Sequence, residues 1–390
     1  MEKFGKIDLT EVQLNSLKTP CYIVNEVCIE NNLKILDYVQ QQTGCKILLA
    51  LKGFAMWNLA PMISKYLYGV TASSLNEALL GKEEFKKEVH LYAPAYKDEE
   101  FDELLSITDH VSFNSISQIE HFRDKINKHQ DTHKFALRIN PEHSEVSTKL
   151  YDPCALYSRL GTTLKNFPGN TEKLEGISGL HFHTLCELNS DALERTLKEV
   201  EKKFSYFFDK ISWINFGGGH HISMPGYDVE RLVRIISDFK AKYKLEVYLE
   251  PGETIAINTG ILVATVLDLF NNDKDIAILD TSVATHMPDV LEMPYRPEIL
   301  NAGMSEERTY TYRLGGVSCL AGDVVGDYSF DKPLEIGHKI IFGDMSHYTM
   351  VKNTTFNGVN LPAIYKYNSN SGELTLVKEF GYLDFKDRLS

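Results

Sequence analysis

From Lys46 onward the chain alternates short apolar runs with longer amphipathic stretches, the pattern of repeated strand-helix units. Eight runs have the length and composition of strands: Lys46 to Leu51, Leu67 to Thr71, Val89 to Ala93, His110 to Phe113, Lys134 to Ile139, Ile177 to His183, Ile211 to Phe216 and Leu245 to Glu250. Helical patterns follow several of them, as at Ser74 to Lys82, Ile116 to Lys128 and Ala192 to Phe208. Eight such units predict an α/β fold built on a (β/α)8 TIM-type barrel. Asn140 to Gly176 interrupts the rhythm and reads as an extended loop over the barrel mouth. After Glu250 the pattern changes to β-type runs at Ile261 to Leu269, Ile276 to Leu279, Tyr310 to Leu314 and His338 to Phe342, separated by glycine, proline and aspartate. These predict a C-terminal all-β barrel or sandwich domain, with the early run Cys21 to Val24 joining its sheet. The expected division is a barrel over residues 26–255 and a β domain over residues 1–25 and 256–390.

Charge narrows the partners. The sequence has 54 acidic against 41 basic residues, a net charge of -13, with no Lys/Arg-rich run, so the electrostatic footprint of a nucleic-acid binder is missing. A cationic small molecule suits this surface better. No apolar run approaches the roughly 20 residues that span a bilayer, and residues 1–10 lack a signal-type apolar stretch, so the expected location is cytoplasmic, without membrane partners. The six cysteines, Cys21, Cys28, Cys45, Cys154, Cys186 and Cys319, form no CxxC pair and read as reduced thiols.

Barrel chemistry gathers at the carboxyl ends of the strands. Lys52 closes the first predicted strand, His183 the sixth and Glu250 the eighth, and Gly217, Gly218 and Gly219 follow the seventh. A lysine able to form a Schiff base, an imidazole able to stack on a ring, a glycine run able to cradle phosphate and a carboxylate able to face a pyridine nitrogen together suit pyridoxal 5'-phosphate. Each has an ordinary reading as well: a snorkelling lysine, a satisfied core histidine, a turn, a solvated acid. A rival reading is a metal-dependent TIM-barrel hydrolase, since His181, His183, Cys186, Glu187, His220 and His221 are competent ligand types near adjacent strand ends. It leaves Lys52 and the glycine run without a joint task.

Six segments carry a family resemblance: Ala50-Leu51-Lys52-Gly53-Phe54, Gly179 to Glu187, Asn215 to His221, Glu250-Pro251-Gly252-Glu253, Cys319-Leu320-Ala321-Gly322-Asp323 and Thr354 to Gly358. In this order they resemble the alanine-racemase-fold (fold type III) pyridoxal-phosphate decarboxylases, and within them the carboxynorspermidine or carboxyspermidine branch. The resemblance implies that Lys52 links to the cofactor, His183 stacks on its ring and Glu250 pairs with its nitrogen. It places Gly217 to Gly219 and Tyr348 at the phosphate, and Cys319 at the substrate α-carbon across a homodimer with shared active sites. Catalytic residues are then Lys52, Cys319 and His183.

Two departures refine the expectation. Glu253 stands where ornithine and diaminopimelate decarboxylases usually carry a phosphate-binding arginine, and Thr71 stands where ornithine decarboxylases carry aspartate. Both fit a branch in which Glu253, Asp289 and Asp323 meet the ammonium groups of a polyamine-like substrate. The expected activity is decarboxylation of carboxynorspermidine or carboxyspermidine to norspermidine or spermidine, in polyamine biosynthesis. An ornithine- or diaminopimelate-type decarboxylase, a racemase of the same fold and a non-catalytic cofactor carrier are the alternatives. The two carboxylated polyamines differ by one methylene, worth about 1–3 kcal/mol of discrimination, so the sequence does not choose between them. It assigns no role to His181, His220, Arg159 or Tyr157, and does not say how phosphate is held without the arginine.

Overall fold

The computed structural model describes residues 4–169, 171–293 and 295–390. It divides into two compact units, one of Asn32–Ile255 and the other of Met1–Asn31 with Ala256–Ser390.

The first unit is a closed parallel barrel of eight strands: Lys46–Ala50, Gly69–Ala72, Glu88–Tyr92, His110–Phe113, Lys134–Asn140, Ile177–His181, Trp213–Asn215 and Glu246–Leu249. Each pairs in parallel with the next, and the last pairs with the first. Successive strand residues face opposite sides, so one parity fills the barrel and the other meets the helices. Leu48, Ala136, Trp213 and Tyr248 form the buried layer inside. Trp213 needs a small neighbour: a Cβ on Gly179 would lie 2.2 Å from its ring. The outer helices follow from their spacing. Ser190–Phe204 buries Leu193, Leu197, Val200 and Phe204, and Val229–Tyr243 buries Leu232, Ile235, Ile236 and Phe239. Asn189 and Asp228 cap them by accepting backbone N–H bonds.

Some boundaries depart from the sequence expectation. The stretch expected as one helix from Ile116 to Lys128 is two, Ile116–His121 and Arg123–His129, broken at Phe122. That ring lies 4.0 Å from the Phe101 ring, a stacked contact at the break. His183 and Glu250 lie just beyond their strands rather than within them. Residues 141–161 and 164–176 carry only short 3-10 turns and irregular backbone in the described stretch, with the two-residue strand Thr162–Thr163 between them.

The second unit is a mixed nine-stranded sheet. Cys21–Asn25 lies inside it, antiparallel to Gly260–Asn271 and parallel to Ala363–Asn368. Besides the five expected runs it contains Ala302–Met304, Val324–Phe330, Ala363–Asn368 and Glu373–Lys378. Its core is Tyr22, Leu262, Val266, Leu279, Leu314 and Phe342 among others.

Candidate active site

Following the inward parity up the barrel yields the site. Lys46, Leu48 and Ala50 lead to Lys52, Gly179 and His181 lead to His183, and Glu246 and Tyr248 lead to Glu250. The pocket at this end is lined by Ala50, Lys52, Thr71, Ser73, Tyr92, Arg138, His181, His183 and Glu250. The structure therefore brings together Lys52, His183 and Glu250, and adds Arg138, Tyr92 and His181.

Lys52 keeps a solvent-exposed side chain at the pocket, yet the crowding of the walls desolvates it. That desolvation, with the nearby Arg138 guanidinium, holds its pKa below the ordinary lysine value, while Glu250, Glu77 and Cys186 oppose the shift. Glu77 is fixed by the Ser73 N–H, which donates to its carboxylate at 2.7 Å. Burial raises the Glu77 pKa, against that bond and the Lys52 charge.

Glu250 is buried and accepts from the Asn215 side-chain amide at 2.7 Å. Its other oxygen lies 3.4 Å from His181 Nε2. Burial alone would raise its pKa, but His181, His90 and the Asn215 bond outweigh it and bring it down to about 2. Desolvation also lowers the His181 pKa, while the Glu250 charge opposes that shift. The carboxylate is ionised.

His183 is held by its neighbours. Gly218 N–H donates to His183 Nδ1 at 3.0 Å, which leaves the ring proton on Nε2 when the imidazole is neutral. Burial, with Lys52 and Arg138 nearby, pushes its pKa well below the usual value. The glycine run is required by close packing. A Cβ would lie 2.4 Å from Phe182 O at Gly217, 2.4 Å from Glu250 O at Gly218 and 1.9 Å from Leu185 O at Gly219. Gly217 and Gly219 also have φ of +72° and +81°. Glu253, which opens the short helix Glu253–Ala256, lies 3.2 Å from His221 Nε2.

Arg138 is the functional residue that strand-end reading missed. Its guanidinium is 5% exposed, lies 4.4 Å from the Tyr92 ring centroid and donates to the His183 carbonyl at 3.4 Å, with no ion pair among the described residues. A buried cation without a counter-ion is costly, so this group marks a place for an anion. The signal was present: Arg138 is the one charged residue in Phe135-Ala136-Leu137-Arg138-Ile139.

The other expected residues belong to the second unit. Cys319 is exposed, and its N–H donates to Asn357 Oδ1 at 2.7 Å, tying together two of the motif segments. Asp323 is buried and accepts from Val283 N at 2.7 Å, Ser318 N at 3.0 Å and Ser318 Oγ at 2.6 Å, so its carboxylate is spent on organising the Cys319 loop. Asp289 is paired with Lys352, which also lies 2.6 Å from Glu292. Tyr348 is half-buried in a turn with φ of +36°.

The ligand set weighed for a metal hydrolase does not converge. Among the described residues the group with three ligand atoms within 4.8 Å is instead Glu88, His90 and His110, toward the opposite end of the barrel. Of the unassigned residues, His181 enters the pocket, and burial lowers the His220 pKa to about 4. The Arg159 carbonyl accepts from the Asn114 side chain at 2.8 Å. Tyr157 is 94% exposed at φ +67°.

Comparison with known proteins shows the family and the fold. Residues 21–346 match the family described as pyridoxal-dependent decarboxylase, C-terminal sheet domain. The chain is 45% identical over 383 residues to a carboxynorspermidine/carboxyspermidine decarboxylase of Campylobacter jejuni, covering 95% of this chain and 98% of that protein. It is 44% identical over 391 residues to a carboxyaminopropylagmatine decarboxylase of Synechocystis, covering 100% of both. The crystal structure of carboxynorspermidine decarboxylase from Campylobacter jejuni, complexed with norspermidine, superposes with a TM-score of 0.87 at 44% identity, over 95% of this chain and 100% of that one.

Proposed function

Because the chain belongs to the pyridoxal-dependent decarboxylases, we propose that it removes the α-carboxylate of carboxynorspermidine or carboxyspermidine, giving norspermidine or spermidine. The observation that carries this reading is the pocket itself, in which Lys52, His183, Glu250 and the unpaired Arg138 face one another. The residues fit pyridoxal phosphate: a lysine of lowered pKa, an ionised carboxylate, and a glycine turn whose atoms leave no room for a Cβ.

The cofactor, when bound, supplies the electron sink that lets carbon dioxide leave. Lys52 holds it covalently, and its lowered pKa increases the share of free amine at neutral pH. Glu250 offers an ionised acceptor to the ring nitrogen. His183, fixed by Gly218, presents its ring as a wall of the pocket. Gly217 N–H and Gly218 N–H are already given to Asn215 and His183, so the glycine turn would offer phosphate the Gly219 N–H and its close backbone approach, with the Tyr348 hydroxyl taking the place of the family arginine and Arg138 facing a further negative group. Glu253 would face a substrate ammonium group, and Asp289 would do so by exchanging its Lys352 partner. Asp323, its oxygens already occupied, acts through the loop that carries Cys319.

The protein acts as a cytoplasmic homodimer, with Cys319 of a second copy protonating the substrate carbon. Lys52→Ala and Cys319→Ala homodimers should each be strongly impaired, and subunit exchange between them should restore roughly a quarter of the sites, because half the dimers are mixed and each repairs one site of two. Activity that stays at the average of the two, with exchange shown by mass spectrometry, removes the shared site.

The full-length likeness to the Synechocystis enzyme supports a second substrate, carboxyaminopropylagmatine, whose distal end is a guanidinium rather than an ammonium. Carbon dioxide release measured with all three substrates, and with ornithine and diaminopimelate, decides. We expect the highest kcat/KM with a carboxylated polyamine; a higher value with carboxyaminopropylagmatine reassigns the substrate, and one with ornithine or diaminopimelate overturns the branch.

A further inference from the structure

Glu250 lies in a pocket with Lys52, Tyr92, Arg138, His181 and His183, with His90 close enough to act on it electrostatically. Something must hold one carboxylate in one orientation among so many charges. We propose that Asn215 is a positioning residue that locks one oxygen of Glu250 to the glycine turn, and that His181 is a positioning residue that borders the other oxygen. The inference rests on the ring-nitrogen role given to Glu250 above.

The geometry is specific at both ends of the Asn215 side chain. Its Nδ2 donates to Glu250 Oε1 at 2.7 Å, and its Oδ1 accepts from the Gly217 N–H at 2.8 Å. The residue is 1% exposed, so neither bond competes with water. An amide donates from one end and accepts at the other, which a carboxylate cannot do while ionised. A backbone bond runs alongside, from Glu250 N to Gly217 O at 2.8 Å, so the turn that ends the seventh strand and the residue that ends the eighth are joined twice. Beside the other oxygen, His181 Nε2 lies 3.4 Å away, a polar contact short of a made hydrogen bond, and the Tyr92 ring stands edge-on to His181 at 5.3 Å, restricting its rotation. The clamp therefore has a floor, a side and a backbone strap, all built from strand-end residues.

The test is made on holoenzyme loaded with pyridoxal phosphate. Asn215→Asp keeps the shape and replaces the donor with a second carboxylate, so the two acids must share a proton, as close carboxylate pairs do. We expect a new transition in the absorbance of the bound cofactor between roughly pH 5 and 8, absent from the wild type. We also expect kcat to fall about 10- to 100-fold, the worth of a hydrogen bond to a charged group, with KM changed less than about twofold. His181→Leu should lower kcat in the same direction, and His181→Gln, which restores a donor, should recover most of it. If Asn215→Asp does not fold, the two His181 variants decide by the same spectrum and kcat. Wild-type spectra, pH profile and kcat in Asn215→Asp, or in His181→Leu where that pair decides, overturn the clamp. A wild-type protein showing no borohydride-sensitive visible band would instead overturn the cofactor reading beneath it.

Discussion

At the amino end of the barrel strands Lys46 and Lys134 meet Glu88 and Glu246, two cations with two anions; at the carboxyl end Lys52 and Arg138 share the pocket with Glu250, two cations with one anion. The lower set is satisfied within itself. Lys46 lies 2.5 Å and Lys134 3.3 Å from Glu246, and the Tyr248 hydroxyl donates to the same carboxylate at 2.9 Å. His90 and His110, stacked at 3.9 Å, both point Nε2 at Glu88 Oε1, at 2.7 and 3.1 Å. His90 makes a hydrogen bond to that oxygen and His110 lies beside it at ion-pair distance, so the group that resembles a metal site is a carboxylate faced by two imidazoles. In the upper set Lys52 has Glu250 and Glu77 near it, and Arg138 has no ion-pair partner among the described residues. Like-charged residues on the same strands thus serve stability where every charge is matched and chemistry where one is not.

The largest expected effect breaks the upper set at its nucleophile. Lys52→Ala should lose at least about 10^4-fold in turnover and the borohydride-sensitive band, with an unfolding midpoint close to wild type, because no matched partner is orphaned. A large fall in thermal stability would place Lys52 with the structural charges and erase the contrast. Glu250→Gln should cost about 10²- to 10³-fold in kcat, since a neutral amide no longer supports a protonated ring nitrogen. Steady-state kinetics check it, and an unchanged kcat would remove Glu250 from the mechanism.

The lower set should fail in the opposite way. Glu88→Ala takes the hydrogen-bond partner from His90 and the carboxylate from beside His110, a loss of about 1–3 kcal/mol in stability, or about 2–4 °C of midpoint per kcal/mol for a unit of this size. Turnover per folded molecule should stay within about twofold, measured well below the midpoint. Acid should act on the same group. Burial depresses the pKa of His90 to about 3 and of His110 to about 2, from 6.5. Above pH 6.5 both folded and unfolded rings are neutral and contribute no pH dependence; as pH falls below 6.5 the unfolded chain takes up protons that the folded one refuses, so stability declines down to about pH 2–3. Replacing both with glutamine should flatten the slope of midpoint against pH in that window, provided the double variant still folds.

Much of this was legible before any coordinates. Eight apolar runs with helices between them specify the barrel because each strand is buried on both faces, and the strand-end residues Lys52, His183 and Glu250 do share a pocket. Arg138 and His90 were harder because they lie inside strands, where a polar residue reads as noise until the inward parity is fixed by a neighbour such as Lys52; Asn215 ends its strand but stands just before the glycine run that drew the reading. The strand Val324–Phe330 was hidden by Gly326 and Asp327, which resemble a turn. Packing explains both: a Cβ at Gly326 would lie 2.5 Å from Arg296, and Asp327 pairs with Arg313 on the adjacent strand at 2.8 Å. The spent lone pairs of Asp323 depend on where loop N–H groups point, which no spacing encodes.

Glu253 tests the contrast at its midpoint. It is 17% exposed and already faces His221 at 3.2 Å, so it is neither matched as completely as Glu246 nor as dependent on a ligand as Arg138. A substrate ammonium arriving there exchanges one partial partner for another and displaces water at a rim that remains wet. The net gain is that of a partly exposed ion pair, up to about 1 kcal/mol, or about fivefold in affinity. Glu253→Gln should therefore raise KM for the carboxylated polyamine by about two- to fivefold and leave kcat and the cofactor spectrum unchanged. Salt should shrink the difference between variant and wild type, because screening weakens exposed pairs first. A change confined to kcat would mean that Glu253 acts on the reacting centre, and a loss of cofactor with no change in KM would place it at the phosphate, where the related decarboxylases carry arginine. Either outcome would move it out of the intermediate class; the expected KM shift would order Glu246, Glu253 and Arg138 by how much of their charge the fold itself has already answered.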